Sequence, residues 1–576
     1  MMKKRIQEVV RYVPKSIIAV AITMLMMSFS AYSQERIVTG KVTTESGEGL
    51  PGVTVRIADS NTGAVTDVDG NYRLKVPSDE TIISFSYVGF VTQQIKAGSQ
   101  TTINVSLAED IEALDEVVIV GYGSQSRNKV TGAIAEVDGE TILQTPTFTV
   151  DEALQGRAEG VFVSPNGSPG GDPIVRIRGL GTTGDNDPLF VVDGVIVQGL
   201  GDLNPNDVES VSILKDASTT AVFGALGSNG VVLITTKKGS SGKTTISFDS
   251  YVGFQKVTQR FDLLNTEQYL QHIDNLTTAG VIPGRPGRIT DPQYADLIDN
   301  DTDWQDEIFQ DAGIQSHQIS VAGGSPNANF RISGGYIQRQ GVLLNTGTER
   351  YNFRANSEFK KGKFTIGETL ALSFVERQVE SNAGGRTAIE HAIKMAPYFA
   401  VRNANNLGGY QGPDNGLDGQ DAENPVRVLA HPQNDGSRTN IQGNVFANYE
   451  IMDGLSVRGQ IGLDYFTSVN RGFTQSFRDG EAHGQVQTTV GRGTGDNLLS
   501  QSFASLNYTK SFGGHNLDAI LVAERIFQKN TGFGLGTATD LTRDLDVILV
   551  SADVTSQGSG SSEYIKDGYL WRADYN

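Results

Sequence analysis

The sequence predicts a mainly β chain. A small β-sandwich comes first, then a mixed α/β block, then part of a transmembrane antiparallel β-barrel. Three observations carry this. After Phe29 no segment has 18 consecutive apolar residues, so whatever crosses a membrane there must be strand. The hydrophobic share is only 38%, and 67 of the 576 residues are glycine, punctuating short polar-apolar runs. From about Thr244 the apolar residues recur at every second position. The absence of cysteine excludes disulfides, thiolate chemistry, Cys-based zinc sites and a lipid anchor on an N-terminal Cys. The formal net charge of −19 argues against a nucleic-acid partner, which needs a basic face to displace counterions.

Residues 1–33 read as a cleaved export signal. Lys3, Lys4, Arg5, Arg11 and Lys15 precede the apolar run Ser16–Phe29, and Ala31-Tyr32-Ser33 is a small-x-small cleavage signature. Fourteen helical residues span about 21 Å, short of the ~30 Å hydrocarbon core.

Residues 34–108 alternate in short strands separated by turns. Ile37–Val42, Val53–Ile57, Tyr72–Val76, Ile82–Val88 and Ile103–Leu107 are the strands. Asp67-Val68-Asp69-Gly70-Asn71 is a hairpin turn held by Asx and Gly chemistry; its Gly stands too early for an EF-hand loop. GKV, LPGVTV, TDVDGNY and YVGF, in that order, resemble a carboxypeptidase-regulatory-like domain, a transthyretin-type sandwich.

Residues 109–130 form a tether. Acidic Ala108–Glu116 leads into the β-branched run Val117-Val118-Ile119-Val120, with no hairpin partner in sight, and a Gly-Ser-Gln-Ser-Arg-Asn segment follows. A free strand of this composition is a donor for β-augmentation, in which backbone hydrogen bonds supply the affinity. The segment Leu114–Gly123 resembles the TonB box of SusC/RagA-like TonB-dependent outer-membrane transporters, which implies that Asp115, Glu116, Val117, Val118, Ile119 and Val120 engage periplasmic TonB.

Residues 131–240 mix short helices and strands. SPGGDPIVRIRG, DPLFVVDGV, NPNDVESVSILKDASTTAVFG and GSNGVVLITTKKG match, in order, the motifs of the plug domain of those transporters. As residues, Arg176 and Arg178 lie on one strand face and read as structural ion partners inside a water-filled barrel. The resemblance implies a plug core containing Arg176, Arg178, Gly179, Asp193 and Gly194, with Arg178 coupling plug to wall. Gly179–Gly184 fits GxGxxG, yet Asp185-Asn186-Asp187-Pro188 leads into a strand and not the helix a dinucleotide site needs. Gly239–Thr244 approximates a P-loop with the wrong spacing and also runs on as strand. The six histidines are scattered, and neither a catalytic set nor a metal-ligand set is legible, so no enzyme activity and no cofactor are expected.

Residues 241–576 carry the barrel pattern. Ile246, Phe248, Val252 and Phe254 make one apolar set; Phe364, Ile366, Leu370, Leu372 and Phe374 make another. Ile441–Ile451 and Leu455–Tyr465 are predicted to form a hairpin about Met452-Asp453-Gly454, apolar outside and polar inside. Phe359, Tyr449, Tyr465 and Phe466 are expected in the interfacial girdles. Gln259–Gln315 and Glu376–Thr439 read as long extracellular loops, the second rich in Asn, Gly and Asp and suited to solvated ligands. About ten spanning strands are countable, whereas a plugged transporter barrel has about 22 and a ten-stranded lumen could not hold such a plug. The expectation is a gene product continuing by roughly 400 or more residues.

Together the resemblance implies import of an oligosaccharide or peptide across a Gram-negative, Bacteroidetes-type outer membrane. TonB, a SusD-like surface lipoprotein and outer-membrane lipid would be the partners. A ligand-gated signalling receptor and an adhesin of stacked sandwiches are the alternatives. The residues do not name the substrate or its contacts.

Overall fold

The computed structural model describes residues 36–44, 47–58, 62–87, 90, 92–108, 117–120, 123–126, 134–380, 385–430, 432–481, 483–512, 515–539 and 553–575. The expected export signal and Asp115 and Glu116 lie outside them. The chain divides into two compact units, one ending at Val117 (with 126–129 added) and one holding the rest.

In the first unit, β1 (Arg36–Thr44), β4 (Asn71–Val76) and β7 (Val105–Leu107) form one sheet in the order β4-β1-β7. The other sheet contains β2 (Thr54–Ile57), β3 (Gly63–Val65), β5 (Ile82–Ser86) and β6 (Gln93–Lys96) in the order β3-β2-β5-β6. Strand alternation sends Val38, Val55, Leu74, Ile83 and Phe85 into one core, where Tyr72 meets Phe85 edge-on at 5.3 Å and donates to the Ile103 carbonyl at 2.8 Å. The Asp67 carboxylate accepts from the Asp69 and Asn71 amides, which holds it below its ordinary pKa and shows it consumed by the turn. Gly40 is required by close approach: a Cβ there would stand 1.8 Å from the Ile103 carbonyl oxygen. Gly40→Ala should therefore destabilise the sandwich by about 1–3 kcal/mol, the cost of overpacking, read as a lowered urea midpoint for the 34–108 fragment.

Next in the chain come β8 (Val117–Val120) and β9 (Gly123–Ser126), which pair as a two-stranded sheet. The β-branched run thus has a hairpin partner after all. It is a polar strand two residues away, which a search for apolar partners passes over.

The central block is a five-stranded sheet of order β10-β15-β16-β13-β14, formed by β10 (Ile134–Asp138), β13 (Leu189–Val192), β14 (Val195–Val197), β15 (Val208–Leu214) and β16 (Val231–Thr236). A separate hairpin joins β11 (Val161–Ser164) and β12 (Ile174–Ile177). Short helices begin where Asp138 and Thr149 cap with their side chains, and a 3-10 turn begins at the Asn204 cap. Ile142, Leu154, Val163, Val175, Val211 and Val232 share one core. The glycine-rich loop after β12 is gathered around Asn186, whose side chain bonds Gly181, Thr182 and Gly184 backbone groups before the chain enters β13.

Ten strands then pair antiparallel in chain order. They are β17 (Gly242–Gln255), β18 (Ala312–Ser325), β19 (Ala328–Gln340), β20 (Gly347–Lys361), β21 (Phe364–Gln378), β22 (Pro432–Met452), β23 (Leu455–Thr474), β26 (Thr488–Phe512), β27 (His515–Thr539) and β28 (Asp553–Tyr575). Two tiny strands, β24 (Phe477–Arg478) and β25 (Gly484–Gln485), interrupt the run. Connections alternate: two residues at one end (326–327, 362–363, 453–454), long segments at the other (256–311, 379–431, 475–487). The outer face is apolar, with Phe248, Ile332, Phe353, Leu372, Val445 and Ile461 exposed. Tyr336, Tyr351 and Phe374 form one contiguous aromatic row, while Phe359, Phe364 and Tyr449 ring the short-turn end. Eight residues separate Tyr351 from Phe359, about 27 Å of strand at ~3.4 Å per residue, which tilt shortens toward the ~25 Å apolar band of an outer-membrane barrel. Phe466 does not join a girdle. It follows Tyr465 directly, so the two face opposite sides, and Phe466 lies inward beneath the Arg438 guanidinium at 3.9 Å.

At the long-connection end the inner face loses its side chains. Gly436, Gly472, Gly491, Gly493, Gly495, Gly532, Gly534, Gly536, Gly558 and Gly560 occupy adjacent inward positions in three cross-strand rows over β22–β28. A Cβ built on Gly534, Gly558 or Gly560 meets nothing within 4 Å, so packing among the described residues does not demand these glycines.

The two long inserts contain helices with a hydrophobic core of their own. Helices Thr266–Thr278 and Ala388–Lys394 start at capping boxes, and together with Trp304–Ile308 and Pro425–Ala430 they belong to a helical cap. Trp304, Ile308, Tyr398, Phe399 and Leu429 form its core. Arg427 lies between Glu423 and Asp479 and over the Phe477 ring at 3.8 Å; burial nonetheless pushes Asp479 up to about 6. Much of the insert's polar content is consumed in such internal bonds.

Candidate functional site

The inner face of the strands meets the central block through buried polar groups. Asp207, at the start of β15, accepts from Arg331 (2.7 Å), Gln318 (2.8 Å) and Ser333 (2.8 Å), all inward residues of β18 and β19. Arg354 of β20 reaches Asp193 at 3.5 Å and Asp207 at 3.9 Å, and Asp193 also accepts from the Thr236 amide and hydroxyl. The Asp207, Arg331, Arg354 and Asp193 side chains are each 8% exposed or less. Around this centre, Asn444 and Gln460 hold the Asp193 and Gly194 carbonyls, Gln501 accepts from the Ile196 amide, and Arg350 donates to the Gly201 carbonyl at 2.7 Å. Such an interface is specific but not oily: each bond is one that water could replace, whereas leaving one member of the buried pair unpaired costs about 3–5 kcal/mol.

The five expected core residues separate into two groups. Asp193 and Gly194 form the turn between β13 and β14 and face the strands, both with positive φ. Arg176, Arg178 and Gly179 stand at the end of β12, away from this contact. Arg176 pairs with Asp187. Arg178 lies beyond β12, 53% exposed, with φ 58° and an ion pair to Asp216 at 2.5 Å. Among the described residues its ion partner belongs to the central block and not to the ten strands. Such surface pairs contribute about 0–1 kcal/mol, so Arg178→Ala should leave outer-membrane permeability to large antibiotics unchanged in a disc-diffusion or uptake assay. Sequence inspection missed Arg331, Arg350 and Arg354. Their signal was an arginine at inward positions of successive alternating strands, facing a block that carries Asp193 and Asp207. Of the expected coupling residues, Val117–Val120 form β8, while Asp115 and Glu116 lie outside the described residues.

Two domain families match this chain: a CarboxypepD_reg-like domain over residues 38–119 and a TonB-dependent receptor plug domain over 126–231. TonB-dependent receptor P3 of Formosa agariphila is 34% identical, over 91% of this chain and 51% of that protein. TonB-dependent receptor SusC of Bacteroides thetaiotaomicron is 29% identical, over 91% of this chain and 53% of that one. The RagAB peptide importer in its open-open state superposes with a TM-score of 0.67 at 22% identity, covering 80% of this chain and 55% of that structure's chain. The chain is a SusC/RagA-like TonB-dependent receptor. It spans about half the length of the curated relatives it matches. In this receptor chain the central block is the plug and the ten strands are part of a barrel, so the buried Asp–Arg cluster is a plug-to-wall lock.

Proposed function

We propose that this receptor imports an oligosaccharide or peptide across the outer membrane, driven by TonB pulling on β8. The observation that carries the proposal is the lock and its position relative to the pull. Force on the tether reaches β10, the edge strand of the plug sheet, whose register runs from Ile134↔Leu214 to Asp138↔Ser210. The pairs nearest the pull open first, and the run ends beside Asp207. Edge strands peel without breaking the sheet behind them, so the lock is the next contact to yield. The two-residue turns then face the periplasm and the cap faces outward. TonB would add a strand at Asp115–Val120 after β8 leaves β9, and a SusD-like lipoprotein would cover the cap side. RagAB is described as a peptide importer, which supports a peptide as one of the two substrate classes. Cells carrying the receptor, offered a labelled oligosaccharide mixture and a labelled peptide mixture, should accumulate one of them, and a proton uncoupler should stop the accumulation. Equal accumulation with and without the uncoupler would refute the import reading.

A further inference from the structure

The outer face of the β4-β1-β7 sheet in the sandwich is basic. Val38, Val42, Tyr72, Leu74 and Val76 fill the core, so alternation turns Thr39, Lys41, Arg73 and Lys75 outward, and all four are exposed. Ile37 pairs with Lys75, Thr39 with Arg73 and Lys41 with Asn71, which sets three cations close together on one face. The strands β1, β4 and β7 contain no carboxylate. Lys41 acts on Asp67, whose carboxylate already accepts from the Asn71 and Asp69 amides. The ion pairs of the sandwich among the described residues, Arg36 with Asp79 and Lys96 with Glu80, use neither Lys41 nor Arg73.

We propose that this face docks the acidic segment Glu109–Glu116 of the same chain. Charge and reach select that occupant. Five of its eight residues are Glu or Asp. It begins two residues after Leu107, the end of β7, and Leu107 pairs with Thr44 at one end of the face. Eight extended residues span about 27 Å at ~3.4 Å each. Measured back along β1 from Thr44, the level of Lys41 is about 10 Å away and that of Thr39 and Arg73 about 17 Å. A segment that turns back over the sheet therefore lays carboxylates beside both cations. Exposed ion pairs are individually weak, so a separate acidic peptide would dissociate. A segment that starts two residues from the sheet is instead held at an effective concentration on the order of millimolar. The docked segment includes Asp115 and Glu116, so this half of the expected coupling segment stays with the sandwich until it is pulled away. The docking does not depend on the import reading; only that consequence for TonB does.

The absence of cysteine permits a clean test in the purified whole receptor. Thr39→Cys places a thiol on the basic face, and Thr54→Cys places one on the outer face of the other sheet, where Thr54 is exposed beside the core residue Val55. Each is combined with Ala113→Cys, which leaves every charge in place. Intramolecular disulfide formation under diamide is followed as the loss of thiols that react with a maleimide polymer. At low salt the Thr39→Cys pair should close about tenfold faster than the Thr54→Cys pair, because docking raises the local concentration of the second thiol. At about 1 M salt, where the Debye length is only ~3 Å, the two rates should converge. Adding Lys41→Gln and Arg73→Gln, both at exposed positions, should bring the Thr39→Cys pair down to the rate of the Thr54→Cys pair at low salt. Equal closure of the two pairs at low salt would overturn the choice of face. A fast rate that neither salt nor the two glutamines lowers would overturn docking by charge.

Discussion

Deleting Glu116–Val120 is expected to abolish energised uptake while export, membrane insertion and surface binding stay near wild type. The segment contributes β8 and the residue before it, and β8 pairs with β9 in a two-stranded sheet separate from the sheets of the sandwich, the plug and the barrel. Its loss therefore removes a handle without removing a strand from those sheets. Backbone pairing with a partner strand is all-or-none once four consecutive residues are gone, so the expected loss is to background and not a graded decline. The measurement is uptake of the labelled pools beside binding to the same cells. Uptake at the wild-type rate would assign these residues to a passive linker. Because β8 is paired with β9, a milder variant sharpens the point. Weakening β9 with Gln125→Pro removes one donor from that strand and should raise TonB capture while leaving β8 intact.

Asp207→Asn is expected to loosen the plug. The carboxylate lies at the meeting of Arg331, Gln318 and Ser333 and within 3.9 Å of Arg354. The amide keeps the shape but removes the charge, leaving Arg331 buried and unpaired, which costs about 3–5 kcal/mol at such sites. That is a large fraction of the marginal stability of a whole domain, so the plug should sample open positions without TonB. The readout is entry of large hydrophilic antibiotics in cells lacking TonB, where the wild-type receptor is expected to stay closed. A double substitution, Asp207→Asn with Arg331→Gln, should recover part of the closure, because it leaves no unmatched buried charge. Unchanged entry in the single variant would show that the amide network around Asn444, Gln460 and Gln501 holds the plug by itself.

Much of this architecture was legible in the residues, for physical reasons that also explain the misses. The hairpin Ile441–Tyr465 turns at Asp453-Gly454 as expected, because strict alternation fixes register and Gly454 takes φ 78°. Ten strands were countable because a lipid-facing side chain stands at every second position. Phe466 was misplaced by treating aromatic content without parity. The helices within the inserts were not legible because Asn, Gly and Asp build capping boxes and buried ion pairs as readily as they build open loops; large apolar residues such as Trp304, Tyr398 and Phe399 mark the core there. The lock escaped because an arginine inside a barrel looks, in one dimension, like any polar residue on a wet face. Arg178 stands out in the sequence by its motif, whereas Arg331 stands out only in three dimensions, by its burial against Asp207.

The inward glycine rows bear on how the wall assembles. Register is well specified where one face is buried and side chains tell the two faces apart, and weakly specified in glycine-rich strands. In β26, Gln501, Phe503 and Ser505 lie inward and buried, so the half nearer the two-residue turns has a single well-defined pairing. The other half pairs Gly493 with Gly534 and Gly495 with Gly532, where a shifted alignment would bury nearly the same surface. Pairing should therefore begin at the Phe512–His515 turn and travel outward, with the glycine half annealing last and reopening first. Amide exchange would show this directly as a gradient of protection along β26 and β27, steepest between Asn497 and Gly493.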